Sequence, residues 1–185
     1  MKPTGFRSKG RGKKRKVFPI FAHRSQRPFK RSGGKADLPT LISPDGIKRL
    51  LAFHKKSKSE GREYGGYIQE GFPHEISIKA HTVGINPALT LTENDYGEIR
   101  KKSGIFWHSH RGSGIPSSQD VEVLRSVANP RGVNVFITVG EAYVPDPKLQ
   151  GNYWMTFSRF ENNLYQDRRI MVSSSGEIVR DYGWH

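Results

Sequence analysis

Gly104-Ile105-Phe106-Trp107-His108-Ser109-His110-Arg111-Gly112-Ser113-Gly114-Ile115-Pro116-Ser117-Ser118-Gln119-Asp120 is the stretch from which the rest of the chain can be laid out. Its first part, short, apolar and aromatic, predicts a buried strand that runs directly into two histidines. Residues i and i+2 of a strand face the same way, about 6.5–7 Å apart. His108 and His110 can therefore aim two imidazoles at one ion, while Ser109 faces the other side. Arg111 to Pro116, with two glycines, a proline and no periodicity, predicts a loop. Ser117 then reads as the N-cap of a helix that starts at Ser118 and carries Val121, Val123 and Leu124. Asp120 falls in its first turn, from where a carboxylate can swing back toward the strand end. Two neutral imidazoles and one carboxylate, with a fourth position open to water, make the ligand set of a catalytic zinc site rather than a structural one.

Such a site needs a proton acceptor, and Arg62-Glu63-Tyr64-Gly65-Gly66-Tyr67-Ile68 offers Glu63 at an expected helix-to-strand junction. Glu63 in a Glu-x-x-Gly-x-aliphatic setting, His108-x-His110, Pro116-Ser117 and Ser117-x-x-Asp120 together resemble the JAMM metalloprotease family of MPN domains, over roughly Leu41 to Val139. The resemblance implies a zinc ion, one per chain, held by His108, His110 and Asp120. It also implies Glu63 as general acid/base and Ser117 as a support for the oxyanion. The loop between His110 and Ser117 is one residue shorter than the family's usual spacing. Matching Ser118 instead would bring Val121, which cannot bind metal, into the ligand position, so Ser117 is kept with Ser118 as the alternative. The fold implied is α/β, an MPN-type (cytidine-deaminase-like) mixed sheet flanked by helices. The activity implied is cleavage of a peptide or isopeptide bond at the C-terminus of a ubiquitin-like protein. Residue by residue there are plainer readings. Ser117 with Asp120 also spells a capping box, which is compatible with a role in the site. Glu63 taken alone could be a solvated charge in a turn.

The chain has 185 residues, enough for one domain with an extension. Of its 31 basic residues, 13 lie between Met1 and Lys35, and none of its 17 acidic residues do, so the net charge of +14 belongs almost wholly to that segment. A tail over residues 1–37 and a domain over 38–185 follow. Like charges repel and little in the tail can be buried, which predicts disorder in isolation. Val17-Phe18-Pro19-Ile20-Phe21 is an apolar island that can dock on the body or on a partner. A polybasic tail is an electrostatic footprint for nucleic acid or another polyanion, or simply a solvated tail. The chain has no cysteine, which removes disulfides, thiolate ligands and cysteine nucleophiles. No apolar run approaches the roughly 20 residues needed to span a bilayer, and the basic start lacks a signal peptide's apolar core. A soluble cytoplasmic protein without membrane contact is the expectation.

In chain order, Ser43-Pro44-Asp45 opens a helix, with Ile47, Leu50, Leu51 and His54 at helical spacing to about Ser57 and Gly61 as its stop. A strand over Tyr64 to Gln69, a turn through Gly71-Phe72-Pro73 and a second strand from about Glu75 to Val83 come next, the last with Ile76, Ile78 and Ala80 alternating. Thr92 caps a short helix to about Lys102. After the histidine strand and the helix to about Val127, Val133 to Val139 is the apolar strand expected at the sheet centre. Tyr153 to Phe160 predicts a strand, and Arg169 to Ser173 with Glu177 to Arg180 a hairpin. His54, His74 and His81 lack partners at ligand spacing and read as surface or packing residues. Against the hydrolase stand a basic scaffold with an MPN-like body and a nucleic-acid-binding tail, and a zinc hydrolase of small amides.

Overall fold

A computed structural model of the chain describes residues 41–76, 80–83 and 86–185. The basic segment 1–37, its apolar island and the expected domain start at Leu38 lie outside the described residues. Helix α1, Pro44–Glu60, begins as its sequence dictates: Pro44 occupies the first turn, and the Ser43 hydroxyl accepts a hydrogen bond from the Gly46 amide at 3.0 Å. It ends at Gly61, whose φ of 69° is the left-handed conformation of a helix stop. Ile47, Leu50, Leu51, His54 and Ser57 line its buried face, while Lys48, Arg49, Lys55, Lys56 and Lys58 are exposed.

Strands β1, Gly65–Gln69, and β2, Phe72–Glu75, form a hairpin in which Gln69 pairs with Phe72. Its two-residue loop is Glu70-Gly71, with φ of 52° and 81°, the backbone that matches the twist of flanking strands. The turn therefore falls before Phe72, not across Gly71-Phe72-Pro73. The long second strand expected from Glu75 to Val83 is also corrected. β2 ends at Glu75, and Ala80–Val83 is a separate strand, β3, paired with β4, Asn86–Leu89. The reason is the length of the partner: Gly66 already pairs with Glu75 and Gly65 accepts from the Ile76 amide, so β1 has no ladder left with which to lengthen β2.

Helix α2, Glu93–Lys102, carries a capping box between Thr92 and Asp95. Strand β5, Ile105–Ser113, runs through both histidines and beyond them into the segment expected as a loop. Helix α3, Ser118–Val123, continues through a π turn at Leu124–Ala128 and a 3-10 turn at Asn129–Arg131 to Gly132. β6, Val135–Glu141, β7, Tyr153–Glu161, β8, Leu164–Val172, and β9, Ile178–Trp184, complete a seven-stranded sheet in the order β2-β1-β5-β6-β7-β8-β9. Of its neighbouring pairs only β5 and β6 are parallel, joined by the α3 crossover; the others are antiparallel. The chain is thus mixed α/β. Among the described residues no helix is long and apolar enough to cross a membrane.

Alternation along the strands builds a core on each face of the sheet. Ile105, Trp107, Val135, Ile137 and Val139 pack with Leu50 and Leu51 of α1, whereas Phe106 and Phe136 pack with Tyr96 and Ile99 of α2 and with Leu124 and Ala128 beyond α3. The histidines continue the second row.

Candidate metal centre

His108 follows Phe106 on β5 by two residues and therefore points to the face covered by α2 and α3. It is 3 % exposed. His110, two residues on, brings its Nε2 to 2.9 Å from that of His108. The carboxylate of Asp120 closes the group, with Oδ1 at 3.1 Å from His108 Nε2 and Oδ2 at 3.2 Å from His110 Nε2. Ligand atoms about 2.0–2.2 Å from a tetrahedral ion stand roughly 3.3–3.5 Å from one another. The two Nε2 atoms and the edge of the carboxylate are drawn together at close to that spacing, as donors around a single ion would be. His108, His110 and Asp120 are the group of metal-ligating side chains that the described residues bring together.

The surroundings fit that use. The Nδ1 of His110 lies 2.9 Å from the Ser113 carbonyl. A carbonyl only accepts, so Nδ1 carries a hydrogen, and in the neutral imidazole Nε2 is left with its lone pair for a metal. Asp120 is fixed by a capping box: its Oδ2 accepts from the Ser117 amide at 2.6 Å and from the Ser117 hydroxyl at 2.7 Å, and its own amide donates to Ser117 Oγ. Local helix-start chemistry thus aims the third ligand. The Nδ1 of His108 is buried and has no hydrogen-bond partner among the described residues.

Glu63 precedes β1 by two residues. Gly65 pairs with His108, and Ser109 donates its amide to the Tyr64 carbonyl at 2.8 Å. Extending that register places Glu63 opposite His110, where antiparallel neighbours present side chains to the same face. Glu63, the three ligands and Ser117 line one cleft of about 450 Å3, floored by Phe106 and Phe136. Ser118 does not line it.

Electrostatics separates the roles. Burial pushes the Glu63 carboxyl above the ordinary glutamate range, against the pull of His108 and His110. Burial would also raise Asp120, but hydrogen bonds from His108, His110 and Ser117 hold it well below the usual carboxylate range. Burial would lower His110, and the hydrogen bond and charge of Asp120 overcome this to raise it. One carboxylate is therefore a committed anion and the other a group that can take up a proton.

Two supports had no partner at ligand spacing in the sequence. His54, fully buried on α1, brings Nδ1 to 2.8 Å from the His110 carbonyl, so the helix on the far face holds the backbone of a ligand. Its position in the apolar register of α1 was the available signal. Thr138 and Thr156, both fully buried, donate hydroxyls to the Gly114 carbonyl at 2.7 and 2.8 Å. They pin the turn that leads to Ser117. A Cβ at Gly114 would lie 2.3 Å from the Trp154 carbonyl oxygen, so only glycine fits there. His74 is exposed and stacks on Tyr67, and the side chain of His81 lies outside the described residues.

A larger cavity of about 500 Å3 between Glu141–Pro145 and Gln150–Tyr153 has less chemistry. Its carboxylate, Glu141, is taken by Lys58 on one oxygen and by the Tyr143 hydroxyl on the other.

No family model, no curated protein and no solved structure matches this chain.

Proposed function

We propose that this chain is a zinc-dependent peptidase or isopeptidase of the JAMM type, on an MPN-type fold, acting at the C-terminus of a ubiquitin-like protein. The observation that carries the reading is the triangle of His108, His110 and Asp120 donors in one cleft with Glu63. The helical crossover between the parallel strands β5 and β6, which delivers Asp120 to the histidines, supports it. A zinc ion held there supplies Lewis acidity, polarising an amide carbonyl and lowering the pKa of water.

The chain's own residues do the rest. Glu63 accepts a proton from the attacking water as the carbon–oxygen bond forms, then delivers it to the amine nitrogen as the carbon–nitrogen bond breaks. A carboxyl with a raised pKa suits both halves of that exchange. Ser117 can turn its hydroxyl from Asp120 Oδ2 to the developing oxyanion, a movement of one rotor.

The test is zinc content together with cleavage of ubiquitin-like fusions. The wild type is expected to hold one zinc per chain and to cut; Glu63→Gln is expected to keep the metal and lose cleavage by at least about a hundredfold. Protein that takes up no zinc at neutral pH would end the reading.

A second reading, a basic scaffold that holds nucleic acid, draws on the 13 basic residues before residue 36 and on the exposed Lys48, Arg49, Lys55 and Lys56 of α1. Full-length protein and a chain starting at Leu38 are compared for nucleic-acid binding over a salt series. Polyanion binding requires a steep fall in affinity with salt that shortening the chain flattens.

A further inference from the structure

Arg111 follows the ligand His110 directly, and in a regular strand it would face away from the cleft that His110 lines. It lines the same cleft instead. The cause is an irregularity in β5: from Ser109 to Ser113 it advances four residues, while β6 advances two, from Val139 to Glu141. The surplus is a bulge, and a bulge re-aims the side chains it carries. This one is held from several sides. A Cβ on Gly140 would stand 2.4 Å from the Gly112 carbonyl oxygen, so the absence of a side chain there lets the bulge lie on β6. His54 meets the His110 carbonyl at one end, and Thr138 and Thr156 bond the Gly114 carbonyl at the other. The backbone that carries Arg111 is therefore as fixed as the ligands beside it.

Its guanidinium is left with spare donors. Among the described residues it makes one hydrogen bond, from Nη1 to the Gly61 carbonyl at 3.4 Å, and no ion pair, although a guanidinium carries five N–H groups. Nearby cations are engaged: Lys58 with Glu141, Arg62 with Glu60 and Arg125 with Glu122. Arg111 is also the lysine or arginine that lines the cleft. Gly61, two residues before Glu63, and the pull of Arg111 on the Glu63 carboxylate place it on the Glu63 side of the metal ligands. In the hydrolase reading that side receives the leaving amine.

We infer that Arg111 is a specificity-determining residue, which selects substrates with a carboxylate on the amine-side residue of the scissile bond, as an acidic side chain or a free chain terminus. The inference rests on the hydrolase reading for the identity of the bond, and on the bulge and the unpaired guanidinium for the preference. A planar guanidinium grips a carboxylate with two parallel hydrogen bonds. Solvent at this exposed position reduces the gain, leaving at least about fivefold in affinity.

The experiment uses full-length, zinc-loaded protein and hydroxamates that share one metal-chelating head: the monohydroxamates of succinate and glutarate, the neutral amide of each, and 3-aminopropanohydroxamate. Calorimetry is expected to show at least one acid binding at least about fivefold tighter than its own amide, and the ammonium compound weakest. Arg111→Gln, with zinc content unchanged, is expected to bring the acid-to-amide ratio to about one, Arg111→Lys to keep part of it, and Arg111→Glu to place the ammonium compound first. Equal binding of acid and amide at both lengths would overturn the inference. So would a preference that survives in Arg111→Gln, since it would then belong to the ion or to the basic segment before residue 36. An effect of Arg111 on Glu63 alone would not discriminate an acid from its amide. Peptides with an aspartate side chain, a free terminal carboxyl or a terminal amide beside the cleaved bond separate the two sources of the carboxylate. An Arg111-dependent hydroxamate preference without cleavage of any peptide keeps the anion selection and removes the hydrolase; absence of zinc binding removes both.

Discussion

The two faces of the central sheet are made from the same strands and end differently. Under α1 the row Ile105, Trp107, Ile137 and Val139 is sealed, with Trp107 fully buried and its indole donating to the Tyr67 and His74 carbonyls. Under α2 and α3 the row Phe106, His108 and His110 starts as core and opens into a cleft. The difference lies in what covers each face. α1 is a single helix of 17 residues whose apolar residues Ile47, Leu50 and Leu51 are buried along it, whereas α3 is six residues, none of them buried, set at the mouth of the cleft. A short, capped helix start leaves room for a ligand and supplies one of its own.

The comparison can be broken most sharply at adjacent residues. Trp107→Ala should cost about 3–5 kcal/mol, with or without metal, because it empties the sealed side. His108→Ala should cost metal-free stability less and abolish zinc binding; denaturant midpoints with and without zinc separate the two. A loss of stability in His108→Ala as large as in Trp107→Ala would erase the distinction between the faces.

Next in size is the metal itself. Zinc at a hundredfold excess over its dissociation constant should stabilise the wild type by about 2.7 kcal/mol and leave Asp120→Ala unchanged, read from thermal unfolding. The ligands must be deprotonated to bind. Since Asp120 holds His110 above the ordinary histidine value, zinc uptake below that raised value should release a proton, and affinity should fall as pH drops through it. Calorimetry in buffers of different ionisation enthalpy counts the proton.

His54 ties the faces together, and His54→Phe should sharpen the contrast. Losing its bond to the His110 carbonyl should cost about 1 kcal/mol of stability and weaken zinc several-fold, measured by competition with a chelator. Unchanged zinc affinity would confine His54 to packing.

The smallest effect is a gain. Burial raises Glu63, so its ionised form is penalised in the fold: the penalty is absent below the unfolded value near 4.5 and fully present above the folded one. Metal-free Glu63→Gln should therefore be slightly more stable than the wild type at pH 7, with the difference vanishing in acid. A destabilised variant at pH 7 would mean that Glu63 is held by a favourable partner instead.

Legibility followed the range of each interaction. The caps of α1 and α2, the His-x-His strand and the Ser117–Asp120 helix start were readable because each is written within a few residues. Gly71 alone advertises the β1–β2 turn in the sequence, and the positive φ of Glu70 sets it one residue earlier than glycine and proline imply. The loop after His110 read as irregular from its glycines, yet β5 continues to Ser113 through a bulge against β6, since the parallel neighbour supplies hydrogen bonds that composition does not reveal. The same holds for Asn162-Asn163, whose φ values of 52° and 64° form the tight turn between β7 and β8.

Which residues carry donor atoms, and which face of a strand or helix each occupies, was set by the amino-acid order alone, because side-chain periodicity is a local property of the backbone. That His108, His110 and Asp120 meet at 2.9–3.2 Å, that Glu63 lines the same cleft, and that His54, Thr138 and Thr156 brace them was decided only by tertiary structure. Those distances depend on the register of β1, β5 and β6 and on the path of the α3 crossover. Long-range pairing is what fixes both.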